Sequence, residues 1–120
     1  MAAKVGMWGK YSEFYESNVL GTQNIINSCQ NHSVKKLIFT SSPSVVFGKS
    51  SLKNVNETVS YPKKYYNHYA KTKALSEQLI LKANNSEGLL TCSLRPHLVY
   101  GPGDQNLIPR LVKAAKENRL

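Results

Sequence analysis

The sequence predicts an α/β fold built on a parallel, doubly wound sheet, and three observations carry that prediction. Helix and strand patterns alternate along the 120 residues in the order helix, strand, helix, strand, helix. Both strand patterns are short apolar runs rich in β-formers, the composition of strands buried in a parallel sheet. Strands separated by helical crossovers run parallel, with helices packed on the sheet.

The first helix is expected over residues 12–31, where Phe14, Val19, Ile25, Ile26 and Cys29 recur at helical spacing and Ser12 stands near the N-cap. Gly21 and Thr22 lower its propensity. The run Val34 to Phe39 in "VKKLIFTSS" reads as a buried strand ending in hydroxyl residues. A loop rich in Ser, Asn and Lys follows over about 43–63, and Pro62 marks the approach to the second helix. That helix is expected over 64–84 from Tyr65, Tyr69, Leu75, Leu79, Ile80 and Ala83, with "NNSEG" as its stop. "LLTCSLRP" is the second strand, broken by Pro96, and "GPGD" is a turn. "NLIPRLVKAAKENRL" makes the third helix, with Pro109 in its opening turn.

Composition narrows the function. The chain has the length of one domain or part of one, and its 41% hydrophobic content is enough for a packed core. The net charge of +9 is dispersed, reaching only the pairs Lys35-Lys36 and Lys63-Lys64. Phosphate binding needs a clustered footprint, so no nucleic-acid partner is expected. No run approaches the roughly 20 apolar residues of a membrane span, and the polar "MAAKVGMWGK" is unlike a signal peptide, which makes a cytoplasmic protein the default. Cys29 and Cys92 are far apart, without companion ligands at metal-binding spacing, and are expected to be reduced and structural, with no metal site.

In sheets of this kind ligands bind outside the carboxyl ends of the strands. The first strand ends at Thr40, Ser41 and Ser42, the second at Arg95, Pro96 and His97. Tyr69 and Lys73, four apart in the early turns of the helix between them, project from one helix face. With 7 Tyr and 13 Lys in the chain, about one Tyr-x-x-x-Lys match is expected by chance, so the motif draws its weight from these neighbours. All three segments are expected to face one crevice.

Four blocks in order carry a resemblance: "NVLGTQNII" (18–26), "FTSSPSVVFG" (39–48), "HYAKTKALSE" (68–77) and "LRPHLVYGPGD" (94–104). They resemble the extended short-chain dehydrogenases/reductases, within the NAD-dependent epimerase/dehydratase superfamily. "AAKVGMWG", "SSPSV" and "RPHLVYGPGDQNLIPRL" are most similar to its 3β-hydroxysteroid dehydrogenase/isomerase-like branch, which includes 2-alkyl-3-oxoalkanoate reductases. The resemblance implies part of a Rossmann-like sheet whose N-terminal glycine-rich βαβ portion is missing. "GMWG" offers Gly6 and Gly9, but Ser12 stands where a third glycine belongs, and "MAAKVG" looks like the segment after the family's fourth strand. Residues 1–120 would form the catalytic half of an NAD(P)-binding domain, with the substrate region beginning at about 100–120.

The resemblance also implies an activity: an NAD- or NADP-dependent oxidoreductase interconverting 3-hydroxyl and 3-oxo groups on a steroid-like or 3-oxoalkanoate-like small molecule. Tyr69 would pass the proton. An isolated phenol titrates near pH ~10, and a positive charge such as Lys73 favours its ionised form. Lys73 would also bond the nicotinamide ribose. Ser42 would fix the substrate carbonyl, with Ser41 and Thr40 as neighbours open to the same role. Asn18 would order a relay water, or equally tie helix backbone to a neighbouring strand. Pro96, His97, Leu98 and Val99 would run beside the nicotinamide, with His97 read as pocket wall, and Ala3 joins the cofactor set. A homodimer is a property of the full-length family. Two other readings stay open: a nucleotide-sugar epimerase/dehydratase, and a catalytically inactive fragment or interaction domain.

Overall fold

The computed structural model describes residues 3–6, 8–48, 52–105 and 107–119. The elements run α1 (Tyr11–Phe14), a π-helical stretch (Tyr15–Leu20), α2 (Gly21–Asn31), β1 (Lys36–Thr40), a 3-10 turn (Pro43–Val45), α3 (His68–Lys82), β2 (Leu90–Leu94) and α4 (Leu107–Lys116). This is the expected alternation, with shifted boundaries. The first helix starts after Lys10 without a side-chain cap, so Ser12 lies inside it. Residues 64–67 stay outside α3, because Asn67 takes an extended conformation and its Oδ1 accepts from Ala70 N–H at 2.8 Å, setting the helix start there. Tyr65 imitates helical spacing but packs instead against Val45, Val46 and Ala74. For the third helix, positions 106 and 120 lie outside the described residues.

β1 and β2 pair in parallel, Lys36 opposite Leu90 through Thr40 opposite Leu94, and Ser41 N–H extends the ladder to the Leu94 carbonyl at 2.7 Å. Residues opposite one another share a face of the sheet. Leu37 and Phe39 turn towards the helices, where they pack on a core of Ile26, Ile80, Ala83 and Leu89. Opposite them, the Thr91 hydroxyl donates to the Ile80 carbonyl at 2.6 Å and the Ser93 hydroxyl to Glu77 at 3.0 Å, fixing α3 over the same face. Ile38, Leu90, Cys92 and Leu94 stand on the other face, exposed. The strands are therefore half-buried rather than buried, and Cys92 is not the interior cysteine its apolar surroundings suggest.

A polar seam joins α3 to the π-helical stretch. There the Gly21 N–H reaches back five residues to Glu16, opening the helix by one residue per turn. The Asn18 carbonyl at its centre accepts the Thr22 hydroxyl at 2.6 Å and the Ser76 hydroxyl at 2.7 Å. Small residues on α3, buried Ala70, Thr72, Ala74 and Ser76, let the two helices approach. The segment before α1 is pinned alongside: Gly9 has φ +134°, and a Cβ there would meet the Phe14 ring at 3.2 Å, so glycine is required. The segment at 43–63, expected as plain loop, carries a second core, in which buried Val45 and Val46 meet Ala74 and the partly buried Leu52, Val59 and Tyr61.

Candidate active site

Lys73 stands at the carboxyl end of β1. Its Nζ donates to the Thr40 carbonyl at 2.6 Å and lies 4.0 Å from the centre of the Phe39 ring, and the residue is only 5% exposed. Burial pushes its pKa below the ordinary lysine value, and the charge of Glu77 opposes that shift. An ammonium has three N–H donors, so the Thr40 bond leaves capacity for a ligand. Tyr69, one turn earlier on α3, is half-buried, and its hydroxyl has no hydrogen-bond partner among the described residues.

Asn18 is buried and committed within the protein. Its Oδ1 accepts from Lys4 N–H at 2.8 Å, and its Nδ2 donates to the Lys4 carbonyl at 3.1 Å and to Thr72 Oγ1 at 3.0 Å. The side chain ties the helix not to a strand but to the irregular segment that holds Ala3 and to α3. Ser42 caps the 3-10 turn: its Oγ accepts from Ser44 N–H at 3.3 Å and shares a hydrogen bond with the Ser44 hydroxyl at 2.9 Å. Ser41 differs, since its hydroxyl is buried without a hydrogen bond of normal geometry.

The expected residues do not share one crevice: Ala3, Asn18 and Lys73 line one cleft, His97 lines another, and Tyr69 and Ser42 line neither of the two. One, of about 450 Å³, follows the outer edge of β1 past Ile25, Leu37 and Ile38 to Ala3, Asn18, Thr40 and Lys73. The other, of about 500 Å³, lies outside β2 and is walled by Pro43, Val46, Phe47, Arg95 and His97. His97 lines this second cleft, apart from the one that holds Lys73. Pro96, Leu98 and Val99 are exposed beyond the end of β2. Asp104 accepts from the first amides of α4, Leu107 N–H at 3.2 Å and Ile108 N–H at 2.7 Å.

Sequence reasoning missed Glu77. The carboxylate is 1% exposed and takes bonds from Arg95 Nη2 at 2.6 Å, Arg95 Nε at 3.1 Å, the Tyr61 hydroxyl at 2.6 Å and the Ser93 hydroxyl at 3.0 Å. Burial alone would raise its pKa; Arg95, Ser41, Tyr61 and Ser93 overcome that and hold it at about 2, Ser41 acting from nearby without closing a regular bond. Burial, then the bond to this carboxylate and its charge, raise the Tyr61 phenol to about 12, so it stays a donor. The available signal was a glutamate four residues after Lys73, on the helix face that also carries Ala70, Ala74 and Ile80.

Whether these residues suit a dinucleotide rests on the donor set. A buried ammonium with spare donors beside a cleft suits the ribose of a nicotinamide half, whereas Gly9 is engaged in the close approach to α1 and a Cβ on Gly6 would meet nothing within 4 Å, so the two glycines do not make a phosphate loop opening a helix.

Parallel strands joined by a crossover helix, with a buried lysine at the carboxyl end of β1, are the architecture of a Rossmann-like unit of the short-chain dehydrogenase/reductase class. The chain belongs to the 3-beta hydroxysteroid dehydrogenase/isomerase family, whose profile matches residues 1–120. It is 48% identical over 120 residues to an Arabidopsis thaliana 3beta-hydroxysteroid-dehydrogenase/decarboxylase isoform 2, covering 99% of this chain and 21% of that protein. It is 42% identical to the 2-alkyl-3-oxoalkanoate reductase of Stenotrophomonas maltophilia (strain K279a), covering 98% of this chain and 36% of that one. Among solved structures, a UDP-glucuronic acid 4-epimerase from Bacillus cereus in complex with NAD superposes with a TM-score of 0.77 at 28% identity, over 99% of this chain and 38% of that chain. The chain thus spans roughly a fifth to a third of the curated relatives' length. Among the described residues, no helix is long and apolar enough to cross a membrane.

Proposed function

We propose that the chain is the proton-handling half of an NAD(P)-binding domain in an oxidoreductase that interconverts 3-hydroxyl and 3-oxo groups on steroid-like or 3-oxoalkanoate-like substrates, with the substrate region starting near residue 100. The observation that carries this reading is the buried Lys73 ammonium, held on the Thr40 carbonyl at a strand's carboxyl end one turn from the half-buried Tyr69.

When bound, NAD or NADP supplies or accepts the hydride. In the reducing direction the Tyr69 hydroxyl gives its proton to the oxygen of the former ketone, and in the oxidising direction it takes that proton back. Lys73 stabilises the phenolate left behind and offers its spare donors to the ribose hydroxyls. Ser42 holds the carbonyl oxygen, with the unbonded Ser41 hydroxyl next to it in the chain. Asn18 holds the segment carrying Ala3 at a fixed distance from α3, whatever part it takes in proton relay. Relatives that act on 3-hydroxysteroids and 3-oxoalkanoates match at 48% and 42% identity, above the 28% of the epimerase, which favours the 3-hydroxy/3-oxo reading over the nucleotide-sugar one.

The test is a titration of the purified chain with NADH and with NADPH, followed by nicotinamide fluorescence. Saturable binding is expected, weakened about tenfold by Lys73→Ala through loss of a charge-assisted donor and nearly unchanged in Tyr69→Phe. A chain that is folded by circular dichroism yet binds neither nucleotide would overturn the reading and leave an inactive or interaction role.

A further inference from the structure

Among the described residues Glu77 is the most heavily coordinated side chain, and the proton transfer just described does not use it. Four donor atoms on three residues, from β2, from Arg95 just beyond it and from the segment before α3, converge on a carboxylate with 1% exposure. A brace between α3 and β2 needs no charge: a buried ion pair can often be replaced by apolar residues without loss of stability. Here the negative charge stands one helical turn beyond a buried ammonium, at the (i, i+4) spacing whose side chains are neighbours.

The surroundings of Lys73 leave few alternatives. Its own helix presents Tyr69 and Glu77, and β1 presents the Thr40 carbonyl and the Phe39 ring. The π-helical stretch presents the uncharged Ser17 and Asn18, which share its cleft. Around Glu77 stand Ser93 from β2 and Arg95 just beyond its end, with Tyr61 and Tyr65 from the segment before α3. Among the described residues Lys73 closes no ion pair, and Glu77, one helical turn away on the same helix, is the carboxylate whose charge opposes the effect of burial on the ammonium. Arg95, locked on Glu77 through Nε and Nη2, fixes the carboxylate's position.

We propose that Glu77 is a positioning residue for the proton transfer: anchored by Arg95, Tyr61 and Ser93, its carboxylate compensates the buried Lys73 ammonium and so keeps charged the helper on which Tyr69 depends. This rests on Tyr69 and Lys73 being the acid–base pair, but it can be tested without turnover. The ammonium is followed by the pH dependence of the lysine ¹⁵Nζ and ¹³Cε resonances in the labelled 120-residue chain, with Lys73 assigned through Lys73→Arg. Three variants separate charge from bracing: Glu77→Gln, Glu77→Asp, and Glu77→Leu combined with Arg95→Met.

The Lys73 titration midpoint is expected to move to lower pH in Glu77→Gln and in the double variant, and to stay near the wild-type value in Glu77→Asp, which keeps the charge. Melting temperature is expected in a different order, with the double variant recovering most of what Glu77→Gln loses. If the midpoint tracks melting temperature across the set, or stays unmoved in the folded double variant, Glu77 is a brace only and the proposal is overturned. Failure of the nicotinamide titration would leave this series intact and would count against the catalytic reading instead.

Discussion

At Lys73 the protein holds a charge in a place that disfavours it, since burial lowers its pKa and Glu77 offsets only part of that. A folded-state pKa below the unfolded one means that the ammonium subtracts stability at neutral pH, and the deficit closes as pH rises towards the unfolded value. Lys73→Met should therefore raise the urea midpoint at pH 7 while weakening nucleotide binding about tenfold, the usual exchange of function for stability at a strained site. The Thr40 carbonyl loses a donor, but Thr40 is exposed and water can replace it. A lower midpoint would show that the 2.6 Å bond to Thr40 outweighs the buried charge. Tyr69 and Lys73 are legible in the sequence because a motif and three flanking blocks frame them. Glu77 is not, because a glutamate in a helix ordinarily marks a solvated face, and only the position of Arg95 in space turns it inward.

Between elements, the Glu77 cluster is the charged tie that joins α3 to the end of β2. Its carboxyl is held at about 2 against an ordinary 4.5, a pKa depressed on folding. The resulting stability is fully present above about pH 4.5 and is lost as pH falls towards 2; by linkage it is worth roughly 3 kcal/mol at neutrality. Thermal melts from pH 7 to pH 2 should show the wild-type melting temperature falling steeply in that window and a flatter profile in Glu77→Gln; parallel profiles would remove Glu77 as the cause. The order of elements, the parallel pairing and the approximate site can be read from periodicity and turn residues. The second core is not readable that way. Val45 and Val46 sit in "SPSVVFG" with no helical or strand period, and they are buried only because α3 and Tyr65 come back over them. Tyr65 misleads the start of α3 for the same reason: its spacing to Tyr69 is helical, while its partners are tertiary.

The whole molecule is set by a parallel sheet with one covered face. Purely parallel sheets occur with both faces covered, yet Ile38 is 66% exposed and Leu94 52% on the face away from the helices. The outer edge of β1 borders a cleft lined by Ile25, Leu37 and Ile38, and unpaired edges of this kind template association. Nor does α4 add cover: its apolar residues Ile108, Leu111 and Val112 are exposed, opposite a face bearing Arg110, Lys113 and Lys116. The radius of gyration of 16.5 Å exceeds the roughly 14 Å of a compact chain of this length, as expected when apolar surface is left unpacked. A net charge of +9 repels copies at low salt and does so less as salt screens it. Light scattering behind size-exclusion chromatography should therefore show self-association that grows with concentration and with salt. Lysines at Ile38 and Leu94 together should return the chain to monomer without loss of helical signal, because neither side chain is in the covered core. Association unaffected by the two lysines would place the sticky surface elsewhere, with α4 the next face to test; a wild-type monomer at high salt and high concentration would mean that the open face is tolerated by the isolated chain.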